Sequence, residues 1–248
     1  MSEFVNVEKR DAIVWIRLNR SHKKNALTQD MYRAMTAALQ DAEADQSIAA
    51  VVLTGSGDSF TAGNDLNDFL AIEKLDDSAP PFAFLYTLSQ LSVPVIAAVH
   101  GLSIGIGTTI LLHCDLVYAS SDAKFSLPFI HLGLVPEAAS SLLLPQQIGH
   151  LRAAEMLLLG DAINASTALT YGLVNRVVAA DELEATVADV STELAKRPIA
   201  GLRAAKRLMK EPAEPVADRI AREAKVFAKA LVSPEAKAAI AARMKKKS

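Results

Sequence analysis

The stretch PVIAAVHGLSIGIGTTILLHC, residues 94 to 114, decides the fold class. It opens as a short apolar, β-branched run, passes through a loop with glycine at 101, 105 and 107, and closes in an apolar segment that reads as the start of a buried helix. Strand, glycine loop and helix in that order mark a crossover unit of a parallel sheet. The same order surrounds it. Residues 4 to 20, FVNVEKRDAIVWIRLNR, alternate as two strands about a turn at Arg10 and Asp11. TQDMYRAMTAALQDAEAD follows at 28 to 45, with Thr28 placed as the N-cap and Leu27, Met31, Met35 and Leu39 recurring at helical spacing. AAVVLTG (49–55), LVYAS (116–120), AKFSL (123–127) and VNRVV (174–178) supply further strands.

From Asp181 onward the period is helical throughout, and Pro198, Pro212, Pro215 and Pro234 punctuate it. The chain therefore divides into an α/β core over residues 1–180 and a helical region over 181–248. That region is amphipathic and alanine-rich, so it needs the core or another subunit to cover its apolar face.

Composition narrows the function classes. With 51% hydrophobic but only 5% aromatic residues, the core is built from Ala, Leu, Val and Ile. A formal net charge of -2 gives no field to attract nucleic acid or an anionic membrane, so neither is expected as a partner. One cysteine, Cys114, excludes an internal disulfide and any zinc site built from several thiolates. No metal is expected, since His100, His113 and His131 show no ligand spacing and read as structural or pocket-lining. No signal-like or membrane-spanning run is present, which points to a cytoplasmic protein. The closing KKKS reads as a solvated tail.

Four segments compete for the chemistry. GLSIG, 101–105, has the G-x-S-x-G pattern of a hydrolase nucleophile elbow, with Asp115 or Asp122 and then His131 or His150 in the right order. No histidine follows His150, and no oxyanion segment of the HGGG type precedes it, so Ser103 is not expected to be a nucleophile. TGSGDS, 54–59, has Phe60 where a dinucleotide loop needs its third glycine. FTAGNDL, 60–66, is more informative, because Ala62 and Gly63 let the backbone approach a ligand closely. Together with the junction at Gly105 and Gly107, it provides two places from which backbone N–H groups can aim at one oxygen, as in an oxyanion hole. The fourth, LVPEAASSLLLP, 134–145, seats Glu137 among apolar residues. That carboxylate either complements a helix N-terminus or is a base kept dry for proton transfer.

FTAGNDL, then AAVHGLSIGIGTTILLHCDLVYAS, then AKFSLPFIHLGLVPEAASSLLLPQQIG, resemble the enoyl-CoA hydratase/isomerase family, the crotonase superfamily. The resemblance covers nearly the whole chain. It implies an α/β spiral of repeated ββα units with a C-terminal helical trimerisation layer, hence a homotrimer or dimer of trimers. It also implies an acyl-CoA thioester as substrate, with coenzyme A entering as part of that substrate and no separate cofactor. By position, the oxyanion donors are the N–H groups of Asn64 and Ile106. Substrate contacts are implied at Lys23, Lys24 and Ala26 beside the nucleotide, at Ala62, Gly63, Asp65 and Leu66, and at Gly105, Thr109 and Phe129.

Thr109 and Phe129 fall where hydratases of the family carry two glutamates, and neither exchanges a proton near neutral pH. By contrast, PFIHLGLVPEAASS resembles the peroxisomal-type Δ3,Δ2-enoyl-CoA isomerase branch, which implies Glu137 as the base of a 1,3-proton shift in fatty acid metabolism. Apolar neighbours should raise the pKa of Glu137, and the helix N-terminus should oppose them. A hydratase-like or other enolate reaction, and a noncatalytic acyl-CoA binder, stand as alternatives. Phe82, Phe84, Leu85 and Tyr86 read as acyl-pocket or core residues, and AIEKLDDSAPP, 71–81, as a mobile stretch that sets pocket depth.

Overall fold

β1 (Val5–Arg10) turns through Asp11, which takes a left-handed φ of 54°, into β2 (Ile13–Leu18), and the two pair antiparallel with Val7 opposite Ile16. The structure, a computed structural model, describes residues 2–71, 76 and 78–245. α1 (Gln29–Ala44) follows, with the Thr28 hydroxyl accepting from the Met31 N–H and Asp68 accepting from the Gln29 N–H, so two of its free N-terminal donors are satisfied. It buries Met31, Tyr32, Met35, Ala38, Leu39 and Ala42.

β3 (Ala50–Gly55), β4 (Val95–Val99), β5 (Leu102–Ile104), β6 (Leu116–Ser120), β7 (Lys124–Ser126), β8 (Ile163–Asn164) and β9 (Arg176–Val178) complete the strands. The main sheet runs β1-β2-β3-β4-β6-β9, parallel from β2 onward, and a small sheet runs β5-β7-β8. β3 and β4 are buried at every position, as expected of parallel strands covered on both faces. Alternate side chains divide between two clusters. Ile16, Val51, Leu53, Val95 and Ala97 face α1 and α3 (Pro80–Gln90), while Trp15, Ala50, Val52, Ile96 and Ala98 face Leu183 and Val187 of α8 (Leu183–Ala195).

Two details depart from the sequence reading. The segment GLSIGIG is not loop throughout: its middle forms β5, which leaves the main sheet and pairs parallel with β7. Gly101, at φ 54°, makes that departure, and a Cβ there would collide with the Asp58 carbonyl oxygen. The helix after it is also shorter than expected. α4 spans only Ile106–Thr109 and continues as a 3-10 turn over Ile110–His113. Strand, short outward strand and helix then recur, with β6 and β7 leading through a 3-10 turn at Pro128–Leu132 to α5 (Ser140–Ile148). α2 (Leu66–Leu70), α6 (His150–Leu158) and α7 (Ala165–Tyr171) are the short helices that the sequence reading did not single out.

The C-terminal helices are α8, α9 (Ile199–Lys210), α10 (Val216–Leu231) and α11 (Pro234–Lys245). α9 inserts cations among helix ends. Arg203, only 3% exposed, donates to the carbonyls of Ala42, Glu43, Asp45 and Ile48 around the end of α1. Lys206 bonds the Val93 carbonyl and pairs with Asp115 at 2.7 Å, and Lys210 reaches the His113 carbonyl. α10 buries no residue. Among the described residues, no helix is long and apolar enough to cross a membrane. Within the stretch read as mobile, residues 72–75 and 77 lie outside the described residues, and its final prolines open α3. Residues 246–248 of the lysine tail also lie outside them.

Candidate active site

The loop between β3 and α2 is stitched to the segment before α1. The Ala62 N–H donates to the Lys24 carbonyl, the Leu27 N–H to Gly63 and the Asp65 N–H to Leu27, each within 2.9 Å. Gly63 sits at φ 93° with its Cβ position 2.9 Å from the Ile104 carbonyl oxygen, so only glycine allows the two loops to approach this closely. Both neighbours of Asn64 in this ladder are bonded to Leu27, whereas the Asn64 N–H has no backbone acceptor among the described residues. The Ile106 N–H, in the first turn of α4, has none either.

Two cavities meet at these groups. One, of about 320 Å³, is walled by Tyr32, Phe82, Leu85, Pro136 and Glu137, and the other, of about 260 Å³, by Ala62, Gly63, Leu66, Gly105 and Pro128. Asn64, Ile106, Phe129 and Leu134 line both. The junction is lined by both Asn64 and Ile106, with mainly apolar space on either side.

Glu137 lines the larger cavity. Burial pushes its carboxyl up to about 7, and the hydroxyl of Thr109, which donates to Oε1 at 2.5 Å, pulls in the opposite direction. The expected counterweight was a helix N-terminus, and that expectation is corrected. α5 begins three residues later, and the intervening Ala138 and Ala139 both adopt left-handed φ, 53° and 55°. L-residues there cost roughly 1–2 kcal/mol each, so the surroundings must hold the turn. The His113 ring lies against it, with Nε2 2.9 Å from the Ala138 carbonyl oxygen. Tyr32, buried in α1, donates its hydroxyl to the Asn64 side-chain oxygen at 2.5 Å. Its pKa is raised well above the ordinary tyrosine value by burial, then by the negative charges of Glu137 and Asp68, so it remains a donor.

Other candidate residues divide sharply. Ala62, Gly63, Asn64, Leu66, Gly105, Ile106, Thr109, Phe129 and Glu137 come together around the two cavities. Gly105, at φ 56°, would meet only the Phe129 ring if it carried a Cβ, so its conformation rather than space demands glycine. Lys23, Lys24 and Ala26 lie outside the lining. Lys24 pairs with Asp58 at 3.1 Å on the surface, and the Ala26 carbonyl accepts from Arg20. The Asp65 carboxylate is engaged by Arg20 at 2.7 Å and caps α2 through the Asn67 and Asp68 N–H groups; the guanidinium holds its pKa below the usual range. Phe82 and Leu85 line the larger of the two cavities, Phe84 is fully buried in the core, and Tyr86 is half exposed. Ser103 is fully buried within β5, Asp115 is paired with Lys206, and His131 bonds the Leu159 carbonyl, so no triad forms. The turn TGSGDS is tied down by the buried Asn25 amide, which donates to the Ser56 and Ser59 carbonyls.

A family model for enoyl-CoA hydratase/isomerase matches residues 8–247. The chain belongs to the enoyl-CoA hydratase/isomerase family. Among solved structures, it superposes on a Magnetospirillum magneticum AMB-1 protein described as an enoyl-CoA hydratase/carnithine racemase, with a TM-score of 0.96, 44% identity and coverage of 99% of this chain and 97% of that one. Rat enoyl-CoA delta isomerase 2 is 37% identical over 85% of this chain, which spans 55% of that protein's length. Escherichia coli 1,2-epoxyphenylacetyl-CoA isomerase is 32% identical over 82% of this chain and 80% of its own. The family fold, a spiral of ββα units with helices at the C-terminal end, is the one described above. The relatives carry names for differing reactions, so the particular chemistry has to be read from the site.

Proposed function

We propose that the protein is a Δ3,Δ2-enoyl-CoA isomerase with Glu137 as its single base. One observation carries this reading: among the described residues lining the two cavities, Glu137 is the only carboxyl group. Water addition to a conjugated thioester calls for activation of water and delivery of a proton, and hydratases of the family use two glutamates for this. Here those positions hold Thr109, which serves the Glu137 carboxylate, and Phe129, which walls the cavities.

The thioester oxygen sits between the Asn64 and Ile106 N–H groups. Glu137 takes a proton from C2, and the electron pair spreads over the dienolate to the oxygen and C4. Glu137 then returns the same proton to C4, so the C3–C4 double bond becomes C2–C3 with no net gain or loss of atoms. The two N–H groups stabilise the charge that develops on oxygen, and one such donor typically contributes about 2.7–4 kcal/mol. A base with a pKa of about 7 is half ionised near neutral pH, which suits a group that must both take and return a proton.

The test supplies a 3-enoyl-CoA and, separately, a trans-2-enoyl-CoA to wild type and Glu137→Gln, following the conjugated thioester. Conjugation formed from the first substrate and lost in the mutant is the expected result. Hydration of the second at a comparable rate by both proteins would overturn the assignment.

We further propose that copies associate through α10, as a homotrimer. Val216, Ile220 and Phe227 on this helix are all more than 60% exposed in the single chain, an apolar surface suited to covering by another copy. Light scattering of wild type and Phe227→Lys reads this directly: a trimer that dissociates in the variant is expected, and a monomeric wild type would refute it.

A further inference from the structure

We propose that His113 is a positioning residue for the base, clamping the left-handed Ala138–Ala139 turn that carries Glu137 into the cavity; this rests on the isomerase reading above. Two consecutive alanines at positive φ are not a conformation the chain adopts unaided, and neither position is glycine. Something must select it. The Ser140 N–H bonds back to the Glu137 carbonyl, closing the turn on one side, and His113 closes it on the other by reaching the Ala138 carbonyl at 2.9 Å. A carbonyl only accepts, so Nε2 must carry the proton.

The ring is well placed to act as a fixed clamp. His113 ends the 3-10 turn that continues α4, the helix bearing both Ile106 and Thr109. One short element therefore carries an oxyanion donor, the hydroxyl partner of Glu137 and the clamp on its loop. Burial lowers the pKa of the ring, the bond to Ala138 opposes that, and the nearby Lys210 and Lys206 add to the lowering. Among the described residues no carboxylate bonds the ring, and the His113 backbone carbonyl accepts from Lys210. The clamp thus ties the geometry of the base to the element that also supports the oxyanion hole.

Imidazole ¹⁵N shifts of the wild-type protein are the first test. The neutral Nε2–H tautomer is expected, and the Nδ1–H tautomer would overturn the clamp, since Nε2 could not then donate. The second test is a mutational cycle. Because misplacing a catalytic group by about 1 Å can cost roughly a hundredfold in rate, His113→Leu should lower kcat by about 10- to 100-fold with little change in KM. His113→Gln, which keeps a side-chain N–H, should restore much of it. In a background of Ala138→Gly with Ala139→Gly, where the left-handed turn is unstrained, His113→Leu should cost less than about threefold. An equal cost in both backgrounds would mean that the ring only packs, and would overturn the proposal. The carboxyl ¹³C titration of Glu137 needs no turnover. It should move toward the ordinary glutamate range in His113→Leu as the carboxylate leaves its dry position. If it moves while wild type lacks isomerase activity, the isomerase reading fails and the clamp stands; if it does not move in an active enzyme, the reverse holds.

Discussion

Thr109→Val removes the hydroxyl that touches Glu137 while nearly keeping the side chain's shape. The bond is short, 2.5 Å, and its acceptor is the carboxylate already raised to about 7 by burial. A hydrogen bond to a charged group contributes about 1.5–3 kcal/mol, and about 1.36 kcal/mol moves a pKa by one unit. Its loss should therefore raise the Glu137 pKa by roughly 1–2 units. The base works when ionised, so the acid limb of kcat/KM moves to higher pH by the same amount. At pH 7 the variant should be about 5- to 50-fold slower than wild type, and above pH 9 it should come within about twofold of it, as the variant's carboxyl ionises. The assay follows the conjugated thioester formed from a 3-enoyl-CoA between pH 5.5 and 9.5. A uniform loss across that range, with the limb unmoved, would refute the reasoning and leave Thr109 as packing.

Glu137 should also mark the pH dependence of folding. Its pKa is raised on folding, so between pH 4.5 and 7 the native state holds a proton that the unfolded chain has lost, and stability falls as pH rises through that window. Urea denaturation should show wild type losing roughly 3 kcal/mol relative to Glu137→Gln across it, and parallel profiles would contradict this. Gly63→Ala forces a side chain to φ 93° against the Ile104 carbonyl, displacing the Asn64 N–H. A fall in kcat of at least about tenfold is expected, and wild-type rates would show that this donor is not used. Ser103→Ala should leave turnover within about twofold, since the hydroxyl is buried in β5; a loss near a thousandfold, typical of a removed nucleophile, would revive the hydrolase chemistry.

The strand and helix order was legible because apolar periodicity and glycine junctions are local properties. Thr28 caps α1, and Met31, Met35 and Leu39 are buried within it as their spacing indicates, whereas Leu27 lies before the helix in a bridge with Asn64. The residues around the cavities were legible for a different reason: Gly63 is where backbone must come close, and Gly105 is where it must turn to a positive φ. What stayed hidden depends on long-range packing. Nothing local to Thr109 reveals that it bonds Glu137, 28 residues away. Tyr32 reads as one more apolar position of α1, and its hydroxyl finds Asn64 only when the β3–α2 loop folds over it. Asp65 looked available to a ligand because Arg20, its partner, lies 45 residues earlier. The turn at Ala138 and Ala139 was illegible because alanine gives no signal of positive φ.

The cations of α9 also bear on how the chain is made. Arg203 satisfies carbonyls 155 to 161 residues before it, and Lys206 one that is 113 residues earlier. Until those side chains arrive, the end of α1 must keep its carbonyls hydrated. Contacts of such sequence separation form slowly, because a long loop must close before they reward it. On the ribosome, at about 5–20 residues per second, the α/β core waits several seconds or more after α1 emerges for the helix that seals it. Truncation before α9 would therefore leave an unfinished core exposed to aggregation, and synthesis of this chain is completed, in the structural sense, only by its last third.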